Sequence, residues 1–114
     1  MIEVTLLNYL KSKITDIPIY MEIPKNMPER FYLIEKTSSS RSEYLYSSTF
    51  AVQSYGPSMY IAASMSEDIR DIILGEFIND EDSVSKVSLN SEYNYTDTTE
   101  KKYRYQAVFD IIHI

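Results

Sequence analysis

The last twelve residues of the chain alternate between apolar and polar side chains, and this pattern constrains the fold more than any other stretch. A period of two is the period of a β-strand that packs one face against a core. A polar run, residues 96–102, separates this stretch from a second alternating stretch, residues 87–95. The sequence therefore predicts a long β-hairpin here. The apolar positions of its final strand are Tyr103, Tyr105, Ala107, Phe109 and Ile111.

Two other segments place apolar residues three and four positions apart, which is the pattern of a helix with one buried face. The first covers residues 1–14, and the second begins after Gly56 and Pro57, where Ser58 is a candidate N-cap. The apolar stripe of the first helix consists of Ile2, Leu6, Tyr9, Leu10 and Ile14, and that of the second of Ile61, Met65, Ile69, Ile72, Ile73 and Phe77.

The residues between the two helices are rich in β-forming side chains. A proline within the first stretch predicts a short edge strand, whereas the apolar second stretch predicts a buried strand. A serine-rich turn follows, and a long β-prone stretch comes last, in which a pair of serines predicts either a bend or two strand segments. These four predicted elements cover residues 17–21, 30–36, 37–40 and 41–55.

The element order α-β-β-β-α-β-β predicts a single α+β domain over residues 1–114. We expect a mainly antiparallel or mixed sheet of four to five strands, with two helices packed on one face. In this arrangement the second helix packs on the sheet. The predicted core contacts join Ile61, Met65, Ile69, Ile72 and Phe77 to Phe31, Leu33, Val87, Leu89 and Phe109.

The net charge of −6 is concentrated in one region, because residues 67–82 hold seven acidic residues and one arginine. Sequence-specific or general binding of nucleic acid needs clustered lysine and arginine, which the chain lacks. No apolar stretch approaches the length of a membrane span. The acidic residues are interpreted either as a solvated helix face or as a negative surface that repels DNA. Six of the seven are the candidate residues of this surface: Glu67, Asp68, Asp71, Asp80, Glu81 and Asp82.

The sequence offers little material for catalysis. His113 is the single histidine and lies among isoleucines, so it is interpreted as a structural strand residue with no serine–histidine–acid arrangement around it. The absence of cysteine excludes disulfides and thiolate metal sites, and two glycines are too few for a phosphate-binding loop. We therefore predict that the protein is not an enzyme and needs no metal or cofactor.

Four short motifs occur in a recognisable order. They are a proline-led segment at residues 28–35, Arg41, the segment 50–55 that runs into the second helix, and Tyr-Arg-Tyr-Gln at 103–106. In this order the chain resembles the tail-completion proteins of long-tailed bacteriophages, a family of tail terminators and tail-to-head joining proteins. The chain has serines at 38–40 where the family often has a glycine pair, and Tyr55 where it often has tryptophan.

The resemblance implies an α+β structural protein without catalytic residues, located in the tail or neck of a virion and assembled in the bacterial cytoplasm. Members of the family form rings of six that cap the tail tube and dock it to the head connector. In such a ring, the acidic residues are expected either to line the lumen or to face the solvent outside. The expected partners are therefore further copies of the chain, the tail tube protein and the head–tail connector protein. Whether the free chain is a monomer stays open.

Tyrosine is abundant, with 11 copies, and its large and rather rigid ring suits protein interfaces. The predicted subunit or partner contacts are Tyr44, Leu45, Tyr46, Tyr93, Tyr95, Tyr103, Arg104 and Tyr105. Two alternative functions stay open: a head-completion stopper or adaptor of the phage neck, and a small cytoplasmic regulator that binds a protein partner and is unrelated to phage. A small hydrolase or ligand-binding domain would need an apolar pocket with convergent polar groups.

Overall fold

The computed structural model describes residues 1–100 and 102–114, which fold as an α+β domain. The predicted order of two main helices and five strands is confirmed. The helical elements are α1 (Ile2–Lys13), α2 (Met59–Ile72), a π-helical turn (Ile73–Phe77) and the short α3 (Ile78–Asp80); the strands are β1 (Ile19–Tyr20), β2 (Phe31–Ser42), β3 (Leu45–Gly56), β4 (Val84–Asn94) and β5 (Tyr103–His113).

The five strands form one mixed sheet in the order β1-β2-β3-β5-β4. Only β1 runs parallel to its neighbour, and it pairs with only two residues of β2. The other neighbours are antiparallel, and β4 with β5 forms the predicted C-terminal hairpin. β3 and β5, the paired strands that are farthest apart in sequence, therefore lie side by side within the sheet, with β2 and β4 on either side of them.

The helices cover one face of this sheet and bury the main core against it. Strand residues at every second position contribute to this core, as the alternation in β5 predicts. Of the expected contacts, Met65, Ile69, Phe77 and Phe109 are buried here, and Ile61, Ile72 and Val87 are partly buried against it. The largest fully buried side chains from the strands in this core are Tyr32, Ile34, Phe50, Phe109 and Ile111.

Three of the predicted core positions are wrong. Phe31 and Leu33 are buried, but in a separate small cluster with Tyr55, because their neighbours on β2 turn toward the helices. These residues lie on the face of the sheet that points away from the helices, which we call the open face. Leu89 is 37% exposed near the edge of the sheet, at a register shift in β4.

The predicted turn at residues 37–40 is wrong, and so is the predicted bend or strand break at Ser47 and Ser48, because β3 runs unbroken through both serines. β2 runs on to Ser42, and the chain turns at Glu43 and Tyr44, where Glu43 has a φ of 55°. Serine favours turns when it is considered alone, but here pairing with β3 holds the serines in strands. A register shift between Lys36 and Ser38 accommodates the extra residue.

The entry into α2 has the predicted local chemistry. Ser58 has an extended backbone, and its Oγ accepts a hydrogen bond from the N–H of Ile61 at 3.2 Å. Just before it, Gly56 lies so close to α2 that an added Cβ would be 3.0 Å from the backbone N of Ala62. The close approach of strand and helix therefore favours glycine here, because any larger residue would push its neighbours apart. Among the described residues, no helix is both long and apolar enough to span a bilayer.

Candidate functional site

The predicted contact residues fall into two clusters at opposite ends of the sheet. Tyr46 pairs with His113 at one end of the β3–β5 ladder, whereas Gly56 pairs with Tyr103 at the other. Ten residue steps separate these pairs along β3, which corresponds to roughly 33 Å of extended strand. We call the first end, around the β2–β3 turn, the Tyr44 end, and the second the Tyr95 end.

The Tyr44 end presents aromatic surface directly to solvent. Tyr44 is 83% exposed at the tip of the hairpin, and Leu45 beside it is also exposed. Tyr46 is held more firmly, because its ring stacks on His113 with centroids 5.6 Å apart. The guanidinium of Arg41 lies 5.5 Å from the centroid of the same ring. This end therefore combines one free tyrosine with one fixed tyrosine.

The Tyr95 end is ordered by an arginine. The rings of Tyr93 and Tyr95 meet edge to face at 6.0 Å, and the guanidinium of Arg104 lies 4.4 Å from the centroid of Tyr95. Arg104 Nε donates to the carbonyl oxygen of Tyr95 at 2.6 Å, and Nη1 donates to the hydroxyl of Tyr55 at 2.9 Å. Arg104 thus supports the cluster from within its own chain. Tyr103 and Tyr105 are half-buried on the opposite face of β5, the face that the helices cover.

A chain of side-chain hydrogen bonds crosses the open face toward the Tyr95 end. Tyr55 donates its hydroxyl hydrogen to Gln53 Oε1 at 2.8 Å, and Gln53 Nε2 donates to Gln106 Oε1 at 2.8 Å. Gln106 Nε2 in turn donates to the hydroxyl of Tyr93. The network depends on the β3–β5 register, so local sequence patterns do not predict it. It fixes the position of Tyr93, and a fixed side chain loses less entropy when it binds a partner.

The acidic residues occupy two places. Glu67, Asp68 and Asp71 are exposed on α2, whereas the remaining three lie at and beyond its C-terminal extension. Asp80 is engaged within the chain: it accepts from the hydroxyl of Tyr9 at 2.7 Å and lies 3.6 Å from Lys13 Nζ. Burial, together with this bond, raises the pKa of Tyr9. No group of three carboxylates or histidines among the described residues has metal-binding geometry.

A cavity of about 420 Å³ lies between the N-terminus of α1 and the Tyr44 end of the sheet. Ser48 and His113 belong to its polar lining. Ser48 Oγ lies 2.8 Å from Nε2 of His113, a contact that local sequence patterns do not predict. Ser48 is fully buried, and the other ring nitrogen of His113 lies 3.2 Å from the carbonyl oxygen of Ile114. The buried hydroxyl is inaccessible to a substrate, so the pair is best described as a structural hydrogen bond.

An ion pair borders the same cavity. Glu3 Oε2 lies 3.2 Å from Nζ of Lys36, while Glu3 Oε1 is buried and has no hydrogen-bond partner among the described residues. Burial acts to raise the pKa of Glu3. A hydrogen bond from its own backbone and the proximity of Lys36 outweigh that effect and leave the pKa lowered. Glu3 is therefore charged at neutral pH.

No known family model matches the chain, and no curated protein matches it. A function must therefore be inferred from the fold, from the surfaces at the ends of the sheet and from the sequence motifs.

Proposed function

We propose that the protein is a tail-completion protein of a long-tailed phage or prophage, of the tail terminator type. It caps the growing tail tube and docks the finished tube to the head connector. The observation that carries this proposal is the separation of two tyrosine-rich surfaces to opposite ends of one sheet. A protein that joins two assemblies needs two contact surfaces that face different ways.

Each end has the properties of a contact surface. Tyrosine buries a large area with few rotatable bonds, so binding orders little additional side chain. Tyr44 and Leu45 are exposed at one end, and Tyr93 and Tyr95 are exposed at the other. An arginine lies over a tyrosine ring at both ends, but the Tyr95 end adds the chain of side-chain hydrogen bonds across the open face. This difference in chemistry is what we expect if one end binds the tail tube and the other binds the head connector.

The charge distribution supports a role in which the protein surrounds DNA but does not bind it. The exposed acids on α2 give the protein its negative region, while the basic residues are scattered. Binding to duplex DNA requires contacts from clustered cations to phosphates. A ring of this protein would let a DNA molecule pass without retaining it, whether the acids face the channel or the outside.

To test this proposal, the tail tube protein encoded by the same genome is expressed with and without this protein. The lengths of the resulting tubes are then measured by electron microscopy. We expect added density at one end of each tube and a narrower length distribution. Tubes with bare ends and unchanged lengths would overturn the proposal. A protein that binds the connector but no tube end would instead be a head-completion protein.

A further inference from the structure

The sheet has two free edges. Among the residues that the structure describes, β1 pairs with Tyr32 and Leu33 of β2, and no strand pairs with β2 beyond them on that side. The outer side of β4 likewise pairs with no described strand. An unpaired edge presents backbone N–H and C=O groups that can pair with another chain.

Hairpin geometry shows which groups of β2 face its free edge. The turn has two residues between Ser42 and Leu45, and the residues that flank such a turn bond to each other. The bonding direction alternates along an antiparallel strand, so Ser40 also bonds to β3. Ser39 and Arg41 therefore turn their backbone N–H and C=O groups outward.

The same alternation identifies the outward groups of β4. The N–H of Ile114 donates to the carbonyl oxygen of Ser83 at 2.9 Å, and from there every second residue of β5 bonds to β4. The β5 residues opposite Val87 and Leu89 are the ones that bond to β3 instead. Val87 and Leu89 therefore turn their backbone groups to the free edge of β4.

The two free edges lie at the same level of the sheet. Ser39 pairs with Ser48, Ser48 with Ile111, and Ile111 with Val87. The intervening antiparallel pairings make β2 and β4 run in opposite directions. A second copy related by rotation about an axis tilted from the strands would place its β4 beside β2, antiparallel and staggered by two residues from this level, as strands around a closed sheet are staggered. With that stagger, both outward-facing residues of β2 lie opposite the two outward-facing residues of β4. This match favours a second copy of the chain as the occupant of the edge.

We propose that residues 38–42 of β2 pair with residues 86–89 of β4 from a second copy, with Ser39 opposite Leu89 and Arg41 opposite Val87. The contact is head-to-tail, because each copy uses a different edge on each side, and such contacts build closed rings or open chains. The inference rests on the proposed function, since a tube-capping ring needs a lateral contact of this kind. It leaves both tyrosine-rich ends of the sheet free for the tube and the connector.

A disulfide test is direct because the chain has no cysteine. In the proposed pairing, Ser40 and Ser88 face each other on the open face as a pair without mutual backbone bonds, with Cα atoms about 4.5 Å apart. That spacing permits a disulfide. Within one copy, three strand spacings of about 4.8 Å keep the two residues too far apart to react.

We expect the Ser40→Cys/Ser88→Cys variant, oxidised as purified chain and again on tail tubes, to give a ladder of oligomers on a non-reducing gel. Each single variant should give no species above a dimer. Absence of the ladder under both conditions would overturn the pairing. Equally strong dimer formation by Ser40→Cys alone would also overturn it, because it would indicate a two-fold contact between β2 edges.

A second variant separates backbone pairing from side-chain effects. Ser39→Pro removes an outward N–H and leaves the bonds between β2 and β3 in place, whereas Ser39→Ala removes the side chain alone. In the two-cysteine background we expect Ser39→Pro to abolish the ladder and Ser39→Ala to retain it, with both variants folded by circular dichroism. A ladder that persists in folded Ser39→Pro contradicts the proposal.

The outcomes distinguish this inference from the proposed function. Tubes that are capped at one end without any cross-linked ladder would overturn the edge pairing alone. A ladder from a protein that leaves tube ends bare would support the edge pairing and overturn the tail terminator role.

Discussion

Ser48 Oγ and His113 Nε2 lie 2.8 Å apart on neighbouring strands, and both residues are buried. The bond joins β3 to β5 beside the stacked rings of Tyr46 and His113. It therefore ties the base of the Tyr44 end to the centre of the sheet. A buried polar group that loses its partner destabilises a protein more than the simultaneous loss of both partners.

We expect Ser48→Ala to lower the free energy of unfolding by about 1–3 kcal/mol, because it leaves Nε2 of His113 buried and unpaired. Addition of His113→Leu should cost less than the sum of the two single changes. Urea unfolding of the four proteins in this cycle measures both effects. The exposed Ser40→Ala serves as the control, with a change within about 0.5 kcal/mol. A strictly additive cycle would contradict the coupling.

The core offers a second prediction. Ile69 is fully buried between α2 and the sheet, and Ile69→Ala should lower the free energy of unfolding by about 2–5 kcal/mol. Leu89→Ala, at a partly exposed edge position, should cost much less. Denaturant titration of both variants checks this ranking, and a larger loss for Leu89→Ala would contradict the placement of the two residues.

Local patterns were sufficient to predict the elements, but not every pairing between them. The alternation in β5 and the N-cap at Ser58 depend on neighbouring residues alone, and the structure confirms both predictions. Four consecutive apolar residues, 31–34, have no period that reveals which of them face the helices. The sequence alone suggests which residues are candidate contacts, but their separation to two ends of the sheet depends on the register between strands far apart in sequence.

The same limit explains why the turn and the buried serine–histidine pair were missed. A run of serines favours a turn in isolation, whereas pairing along β3 places the turn at Glu43 and Tyr44. Ser48 and His113 are 65 positions apart and meet only through the β3–β5 ladder. Tertiary pairing decided each of these cases over local propensity.

The two glycines provide a matched pair for a third prediction. A Cβ at Gly56 would lie 3.0 Å from both the backbone N of Ala62 and Cγ2 of Ile61, whereas a Cβ at Gly75 would meet nothing within 4 Å. Gly56→Ala should therefore lower the free energy of unfolding by about 1–3 kcal/mol. Gly75→Ala should leave it unchanged or raise it by up to about 1 kcal/mol. Thermal unfolding compares the variants, and equal effects would contradict the close approach at Gly56.

The ion pair of Glu3 and Lys36 gives a pH-dependent prediction. The pKa of Glu3 is lowered in the folded protein, so its charged form stabilises the fold. This contribution is complete above the unfolded value of about 4.3 and is lost as the pH falls through the lowered pKa. Because both side chains are partly exposed, we expect Glu3→Gln to cost at most about 1 kcal/mol at pH 7.

The check on this ion pair is urea unfolding at pH 7 and at pH 3. The difference between Glu3→Gln and the unchanged protein should shrink at the lower pH, where Glu3 begins to take up a proton. Glu22→Gln, at an exposed loop position, is the control. A difference that grows toward low pH would contradict the sign of the pKa shift.

The last prediction concerns the Tyr44 end as an assembly surface. Tyr44→Ser with Tyr46→Ser removes one exposed ring and one stacked ring, and the strands should remain paired. In a phage complementation assay we expect a folded protein that gives overlong tails or tails that fail to join heads, because the rings supply much of the contact area. Tyr60→Ser, which removes an equally exposed ring on α2, is the matched control and should complement normally. Infectious particles with normal tails from the Tyr44 and Tyr46 variant would eliminate this end as an assembly surface.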